Sequence, residues 1–295
     1  MAEFASPGCH IGVGPFVVRV RSEIPAASRV LDMLYRDFPS WPATADVFAD
    51  FDVALENGPG LRRWLRPQVV FSHDGTEPFA PYGVDQAVVM FEGGLNWTIA
   101  EHANFFLVLH AASVEKNGRA AILPAPSGSG KSTLCAGLVS RGWRLISDEA
   151  TLIAIDEETI AALARPISLK NESIDVVARF VPDGTLTEPI HGTEKGTLAF
   201  LKPPVDSVRR VNEPSVPAWI VMPRYQRNAR PLLTERGKAE TFMAINESAY
   251  NLSLFGRPGF EVLANLIDRC ACYDFVYSDL ADAVEIFAAL DEREP

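Results

Sequence analysis

The residues with the clearest chemical meaning form a glycine-rich loop in the middle of the chain. Residues 125–133 read Ala-Pro-Ser-Gly-Ser-Gly-Lys-Ser-Thr and match the pattern G-x-x-x-x-G-K-[ST], except that Ala125 replaces the first glycine. Such a loop surrounds a phosphate with backbone N–H groups, while its lysine reaches phosphate oxygens and the next hydroxyl binds Mg²⁺. The alternative is a Gly/Ser turn before a helix. The expected nucleotide-binding residues here are Ser127, Gly128, Ser129, Gly130, Lys131, Ser132 and Thr133.

Two acids stand where the next strand should end. The pattern predicts strands over residues 119–124 and 143–147, with a helix from Lys131 to Ser140 between them. If the two strands are parallel, their carboxyl ends share one sheet edge, which brings Asp148 and Glu149 to the phosphates. Carboxylates there can hold Mg²⁺ together with Ser132, or accept a proton from an attacking hydroxyl. The alternative is a pair of exposed acids in a turn.

A histidine is expected beside the same loop. Asn117-Gly118 is a strong signal for a two-residue hairpin turn, because both residues accept positive φ. Lys116 then faces Arg119, and His110 lies opposite Ala125, where the loop begins. An imidazole there could bond the loop or a phosphate, although a structural histidine at the end of an apolar strand is about equally expected. The β-carbon of Ala125 is harmless where φ is negative, as we expect.

The remaining elements are predicted from periodicity and turn residues. Apolar residues recur at three- to four-residue spacing over residues 84–103, which predicts a helix despite Gly93-Gly94, and one further helical turn is expected at 61–66. A hairpin is expected around residues 156–158. Further helices are expected near residues 238–251, 259–270 and 279–290, with a strand near 273–277. We divide the chain into an irregular α+β region, 1–95, and a catalytic domain, 96–295.

Composition excludes several classes of protein. The chain has 295 residues with a net charge of -11, which argues against binding nucleic acid or a membrane surface through bulk positive charge. Its four cysteines are too few for a disulfide scaffold, and Cys270 and Cys272 form a lone C-x-C, so a zinc site is not expected. No signal peptide or membrane-spanning run is predicted, so a cytoplasmic location is expected.

The order and spacing of these motifs resemble those of a known family. His110, Asn117-Gly118, the loop 126–133 and the run 142–149 resemble the catalytic core of the HPr kinase/phosphorylase family, including two acids that begin seventeen residues after the loop lysine. This α/β P-loop core is related to the phosphoenolpyruvate carboxykinase fold. The chain resembles most the group called HPr kinase-related kinase A. The segments that carry this likeness are 94–97, 109–112, 165–170, 195–197 and 272–280.

The resemblance implies roles for individual residues. Asp148 matches the general base that acts on the acceptor serine, and Glu149 matches the neighbouring acid near the metal. Lys131 and Ser132 keep their phosphate and magnesium roles, and His110 matches the histidine before the core hairpin. Lys195 is the counterpart of a basic residue on a mobile loop near the phosphates, with a solvated surface lysine as the alternative.

Together these observations predict a kinase that uses ATP and Mg²⁺ to phosphorylate a Ser/Thr hydroxyl of a peptide or small protein. A PqqD-like partner and a homo-oligomer are compatible with the resemblance. Two alternatives stay open: a non-catalytic nucleotide-binding adaptor in a peptide-biosynthesis complex, and a small-molecule phosphotransferase. Polar residues after a predicted strand, Arg165, Lys170 and Asn171, are equally expected to line the pocket or a surface loop. A solvated face is expected for Arg224, Arg227 and Arg230, and a place in the core for Trp41, Trp64, Trp97 and Trp143.

Overall fold

The chain folds into four β-sheets and eight helices across the part of it that the structure, a computed structural model, describes: residues 4, 5, 7–58, 67–156 and 159–292. The helices are α1 Pro25–Leu34, α2 Ala87–His102, α3 Lys131–Val139, α4 Glu172–Phe180, α5 Val205–Arg209, α6 Lys238–Ser248, α7 Leu252–Arg269 and α8 Leu280–Asp291. The strands are β1 Cys9–Val13, β2 Phe16–Ser22, β3 Ser40–Pro42, β4 Phe51–Asn57, β5 Gln68–His73, β6 Tyr82–Gly83, β7 Phe106–Leu109, β8 Ala111–Lys116, β9 Arg119–Pro124, β10 Arg144–Ser147, β11 Thr151–Ala154, β12 Ile160–Ala161, β13 Ile167–Lys170, β14 Ile190–Thr193, β15 Gly196–Leu201, β16 Val216–Tyr225, β17 Leu232–Glu235 and β18 Ala271–Tyr277.

The N-terminal region is α+β, as predicted, but it is more regular than the sequence suggested. Six strands form one sheet in the order β3-β1-β2-β4-β5-β6, with β2 and β4 parallel and the other pairs antiparallel. Strand β2 alternates buried and half-buried residues, as a sheet with one face on the core requires. Helix α2 lies so close to this sheet that a β-carbon on Gly94 would stand 2.5 Å from the Phe71 ring. Close packing therefore explains this glycine inside a helix.

The central sheet has the order β10-β8-β9-β16-β18-β17. Its β8–β9 hairpin turns at Asn117 (φ 55°) and Gly118 (φ 81°), and Lys116 faces Arg119 while Ala111 faces Pro124, which confirms the predicted turn and register. Strands β9, β16 and β18 are parallel neighbours, and β10 runs in the same direction with β8 between it and β9. The carboxyl ends of these four strands therefore lie on one edge of the sheet, as predicted for β9 and β10.

Two three-stranded sheets flank this edge. One has the order β12-β11-β7 and contains the predicted hairpin around residues 156–158, of which 157 and 158 lie outside the described residues. The other has the order β13-β15-β14. The C-terminal helices and strand β18 occur near their predicted positions, although α7 begins earlier and kinks at Gly256 (φ 56°), before Pro258. The helical turn expected at 61–66 also lies outside the described residues.

Helix α2 connects the two halves of the molecule. Its buried residues share one apolar cluster with the N-terminal sheet and with residues from later in the chain, such as Val108, Leu163 and Phe200. The sequence-based division at residues 95 and 96, which stays a prediction, falls within this helix. No helix among the described residues combines the length and apolar character needed to cross a membrane.

Candidate active site

The loop after β9 has the geometry of an anion-binding turn. Gly128 and Gly130 have φ values of 86° and 89°, a conformation that glycine adopts without strain. Helix α3 begins immediately after Gly130, so the positive end of its dipole and its free N–H groups face the loop. Ala125 is not among the described non-glycine residues with positive φ, in agreement with the expectation that a β-carbon is tolerated there.

Two strand ends hold the loop in place. The hydroxyl of Tyr277, at the end of β18, donates a 2.7 Å hydrogen bond to the Gly130 carbonyl. The backbone N–H of Tyr225, at the end of β16, donates to the Ser129 carbonyl at 2.7 Å. These two contacts with the sheet edge fix the position of the loop. The sequence offered no signal for these contacts, because the partners are about a hundred residues or more apart in the chain.

Lys131 is buried and lies between a histidine and an acid. Its Nζ is 3.2 Å from His110 Nε2 and 3.9 Å from a Glu149 carboxylate oxygen. The Tyr250 hydroxyl is 2.7 Å from His110 Nδ1. Burial, with help from the Lys131 charge, lowers the pKa of His110, so the neutral imidazole accepts from Lys131 through Nε2 and its Nδ1–H donates to Tyr250. The structure thus places His110 beside the lysine of the loop, whereas the hairpin register places it only opposite Ala125, where the loop begins.

Asp148 is buried at the end of β10. One carboxylate oxygen accepts a 3.0 Å hydrogen bond from the Ser168 N–H, whereas the other, Oδ1, has no hydrogen bond of normal geometry to any described residue. Burial and the neighbouring Glu149 charge raise the pKa of Asp148 to about 6, although Lys131, Ser168 and the nearby Ser132 hydroxyl oppose the shift. A buried carboxylate oxygen without a partner needs a proton or a cation to stabilise its charge.

The donor set fits Mg²⁺. Within the described residues, no three or more His, Cys, Asp or Glu side chains cluster as a metal site. Magnesium, however, is usually bound by one or two carboxylates together with substrate phosphates and water. The unpaired Asp148 oxygen, the adjacent Glu149 and the Ser132 hydroxyl supply the oxygen ligands that this ion prefers, so these three residues would hold it.

Two more lysines stand around the acids. Lys170 Nζ donates to the Ser127 hydroxyl at 3.2 Å, and burial followed by the charges of Lys195 and Lys131 lowers the pKa of Lys170. Burial opposes ionisation of Glu149, yet the surrounding cations, Lys131 first, lower its pKa on balance. Lys195 lies in the turn between β14 and β15 and acts on Glu149 through its charge. From the sequence, Lys170 is expected either to line the pocket or to lie in a surface loop, and in the structure it lines the pocket.

A cavity of about 220 Å³ opens beside these carboxylates. Asp148, Glu149, Lys170 and Lys195 line one end. Apolar side chains from the N-terminal region and from helix α2, together with buried residues of the later strands, line the rest. Trp97 is one of these side chains and is only half-buried, so the expected core role does not describe it fully.

Arg165 also lines the cavity, but its guanidinium is already paired, and Asn171 holds a turn. The buried Arg165 guanidinium pairs with Glu92 at 2.5 Å and with Asn96, both on helix α2. Asn171 precedes helix α4 with a φ of 51°, and its carboxamide oxygen accepts from the Thr197 N–H at 3.0 Å. The three arginines of the β16 end, residues 224, 227 and 230, are exposed, as the solvated reading predicts. The four cysteines are buried free thiols.

Comparisons with known proteins give two findings. Residues 86–166, from the start of α2 to the segment after β12, match a family model described as "SynChlorMet cassette protein ScmC". A search among curated proteins found no match. Among solved structures, the chain is similar to the Hpr(Ser) kinase/phosphatase from Coxiella burnetii, with 10% identity over 62% of this chain and 97% of that chain, at a TM-score of 0.27. The family match includes the loop, Asp148 and Glu149, and the closer resemblance to HPr kinase-related kinase A stays a prediction.

Proposed function

We propose that this protein is a phosphotransferase that uses ATP and Mg²⁺ to phosphorylate a Ser/Thr hydroxyl of a peptide or small protein. The observation that carries the proposal is Asp148, a buried carboxylate with one unpaired oxygen, 4% exposed, beside a glycine-rich loop and its buried lysine. A structural acid at this depth would be expected to pair fully. The match to a cassette protein is compatible with a role in peptide biosynthesis.

Each residue has a distinct task in the proposed reaction. The loop N–H groups and Lys131 bind the phosphates and stabilise the charge on the transferring group. Ser132, Glu149 and Asp148 would hold Mg²⁺, which would supply positive charge beside the phosphates. Asp148 orients the acceptor hydroxyl and takes its proton as the oxygen attacks phosphorus. His110 keeps Lys131 in position by accepting its hydrogen bond, and Lys170 restrains the loop through Ser127.

Two variants test the proposal. We expect Lys131→Ala to abolish nucleotide binding or turnover, because it removes the buried cation of the loop. Asp148→Asn should leave MgATP binding measurable but lower transfer by about a thousandfold or more, because the proton acceptor is lost. Lys116→Ala, at the far end of the hairpin, is the matched lysine control. The assay is mass spectrometry of peptides encoded by neighbouring genes after incubation with protein, ATP and Mg²⁺.

One other function fits the cassette match. In a nucleotide-binding adaptor without chemistry, ATP would bind but no peptide would gain a phosphate. Phosphate transfer by the wild type that is lost in Asp148→Asn, while ATP binding remains, would identify a kinase; ATP binding without transfer in both proteins would identify an adaptor. If Asp148→Asn transferred phosphate at the wild-type rate, Asp148 would not be the base.

A further inference from the structure

The cavity beside Asp148 is divided into a charged end and an apolar body. The charged end contains Asp148 and Glu149 with the two lysines 170 and 195. The apolar body is lined mainly by aromatic and aliphatic side chains: Phe79, Tyr82, Met90, Trp97, Leu163 and Phe200. Among the described residues, none of the loop 125–133 lines it. Asp148 therefore lies between the phosphate loop on one side and an apolar chamber on the other.

The chamber has the size of a substituted ring. An apolar cavity of roughly 150 Å³ binds benzene in another protein, so the whole cavity of about 220 Å³, its charged end included, accommodates a ring with a short polar substituent. Phe79 and Trp97 meet edge to face at 5.4 Å and are both half-buried, so their faces and edges are available to a ligand. Aromatic walls of this kind favour a flat or branched apolar group.

The buried wall of the chamber offers no free charge to the occupant's apolar part; the remaining lining acid, Glu194, stands beside Lys195, is exposed, and acts on Tyr82 through its charge. Glu92 and Arg165, which also line it, are already paired with each other, and Tyr35 adds a 2.8 Å hydrogen bond to Glu92. Burying a charged group against this neutral wall would leave that group without a partner. Charge complementarity is confined to the end where Asp148 and the lysines stand.

We infer that this cavity binds the acceptor, and that the acceptor is a hydroxyl joined by a few bonds to an uncharged, ring-sized apolar group. The inference rests on the proposed function and adds its substrate class. With the ring in the chamber, the hydroxyl reaches Asp148, which takes its proton. The acceptor oxygen forms a bond to the γ-phosphorus of ATP, the bond from that phosphorus to the bridging oxygen breaks, and ADP leaves.

Matched acceptors distinguish a peptide from a free molecule. For the peptide source, acetyl-Ser-Phe-amide is compared with acetyl-Ser-Gly-amide; for the small-molecule source, benzyl alcohol is compared with glycerol. We expect the ring-bearing member of at least one pair to be phosphorylated about ten- to a hundredfold faster in kcat/KM, because an apolar pocket discriminates on this scale. Equal rates within both pairs would overturn the inference.

A narrowing variant tests the place of binding. Gly93 is an exposed residue of α2 at the rim of the cavity, and a β-carbon there would meet no heavy atom within 4 Å, so Gly93→Leu narrows the opening of the cavity without opposing the helix. We expect it to remove the preference for the ring. Glu101→Leu, an exposed position of the same helix that does not line the cavity, is the control and should keep the preference. A preference that survives Gly93→Leu would contradict the inference.

A binding measurement separates this inference from the proposed function. Saturation-transfer NMR with benzyl alcohol and no nucleotide should detect binding to wild type and to Lys131→Ala, but not to Gly93→Leu. If no acceptor is ever phosphorylated, the kinase proposal fails. The NMR measurement then still shows whether the cavity binds a ring-bearing alcohol. Absence of binding to wild-type protein would overturn the assignment of the cavity even if transfer to other acceptors were found.

Discussion

Two adjacent carboxylates have opposite environments. Burial raises the pKa of Asp148 to about 6. At Glu149 burial also favours the neutral acid, but the surrounding cations outweigh it, so the pKa of Glu149 is lowered. Lys131 acts on both acids, but Lys170 and Lys195 add their charges at Glu149, whereas at Asp148 the Ser168 N–H and the nearby Ser132 hydroxyl favour the charged form. A pair of acids whose pKa values are driven apart is suited to two roles, proton transfer and metal binding.

The burial of Asp148 predicts a stability effect in metal-free protein. Its folded-state pKa of about 6 lies above the ordinary value of 3.8, so the folded protein holds this proton more tightly than the unfolded chain. Stability from this group is present at low pH and is lost as the pH rises from about 4 to about 6. We expect Asp148→Asn to raise the free energy of unfolding at pH 8 by on the order of 2 to 3 kcal/mol. Urea unfolding in EDTA measures it, with pH 4 as the control condition, where the gain should largely disappear.

At the scale of elements, the loop depends on two strand ends. Gly130 combines a φ of 89° with a neighbour, the Tyr277 hydroxyl, that would lie 2.4 Å from an added β-carbon. A larger residue at position 130 would therefore meet two obstacles: the left-handed backbone conformation and the Tyr277 hydroxyl. The loop is thus tied to the sheet edge at Ser129 and Gly130.

We expect Gly130→Ala to weaken MgATP binding at least tenfold and to destabilise the fold by about 1 to 3 kcal/mol, because backbone strain and displacement of Tyr277 add. Gly75→Ala is the control, since Gly75 also has a positive φ (78°) but an added β-carbon would meet nothing within 4 Å. Calorimetric titration and urea unfolding give the two readouts. An equal loss of stability in both variants would show that the Tyr277 contact has no effect.

Local signals predicted the elements that local chemistry controls. The Asn117-Gly118 turn and its register followed from two residues that accept positive φ, and helix α3 followed from the loop and from Gly142 (φ 90°) at its end. The parallel pairing of β2 with β4 did not follow, because it depends on tertiary packing across helix α1. Tyr250 was missed for the same reason, since it meets His110 from 140 residues away.

At the scale of the whole molecule, one buried ion pair connects the N-terminal region to the later strands. Arg165, which follows β12, bonds Glu92 of α2, and both side chains are more than nine-tenths buried. Burial raises the pKa of Glu92 although Arg165 and Tyr35 oppose the shift. Each of the two buried charges therefore needs the other as its partner. The ion pair thus couples the N-terminal region to the later strands.

We expect Arg165→Met to destabilise the protein by about 3 to 5 kcal/mol, because it leaves a buried carboxylate unpaired. The double variant Arg165→Met with Glu92→Gln should regain part of this loss, since the orphaned charge is removed. Arg257→Ala, which breaks an exposed pair with Glu261, is the control and should cost about 0.5 kcal/mol or less. Thermal unfolding of the wild type, Arg165→Met, Glu92→Gln and the double variant measures the cycle, with Arg257→Ala measured beside them. A double variant no more stable than Arg165→Met alone would contradict this account.

The segment that runs from Phe79 to Trp97 has a consequence for how this architecture can be modified. It supplies much of the apolar wall beside Asp148, yet it contains none of the residues proposed to touch the nucleotide or the metal. Under the proposed function, a chimera that exchanges the cavity-lining positions of these nineteen residues but keeps Glu92, the partner of Arg165, would alter which acceptor is used and leave the residues proposed for phosphoryl transfer unchanged. Selectivity and reactivity would then be encoded in separate stretches of the gene.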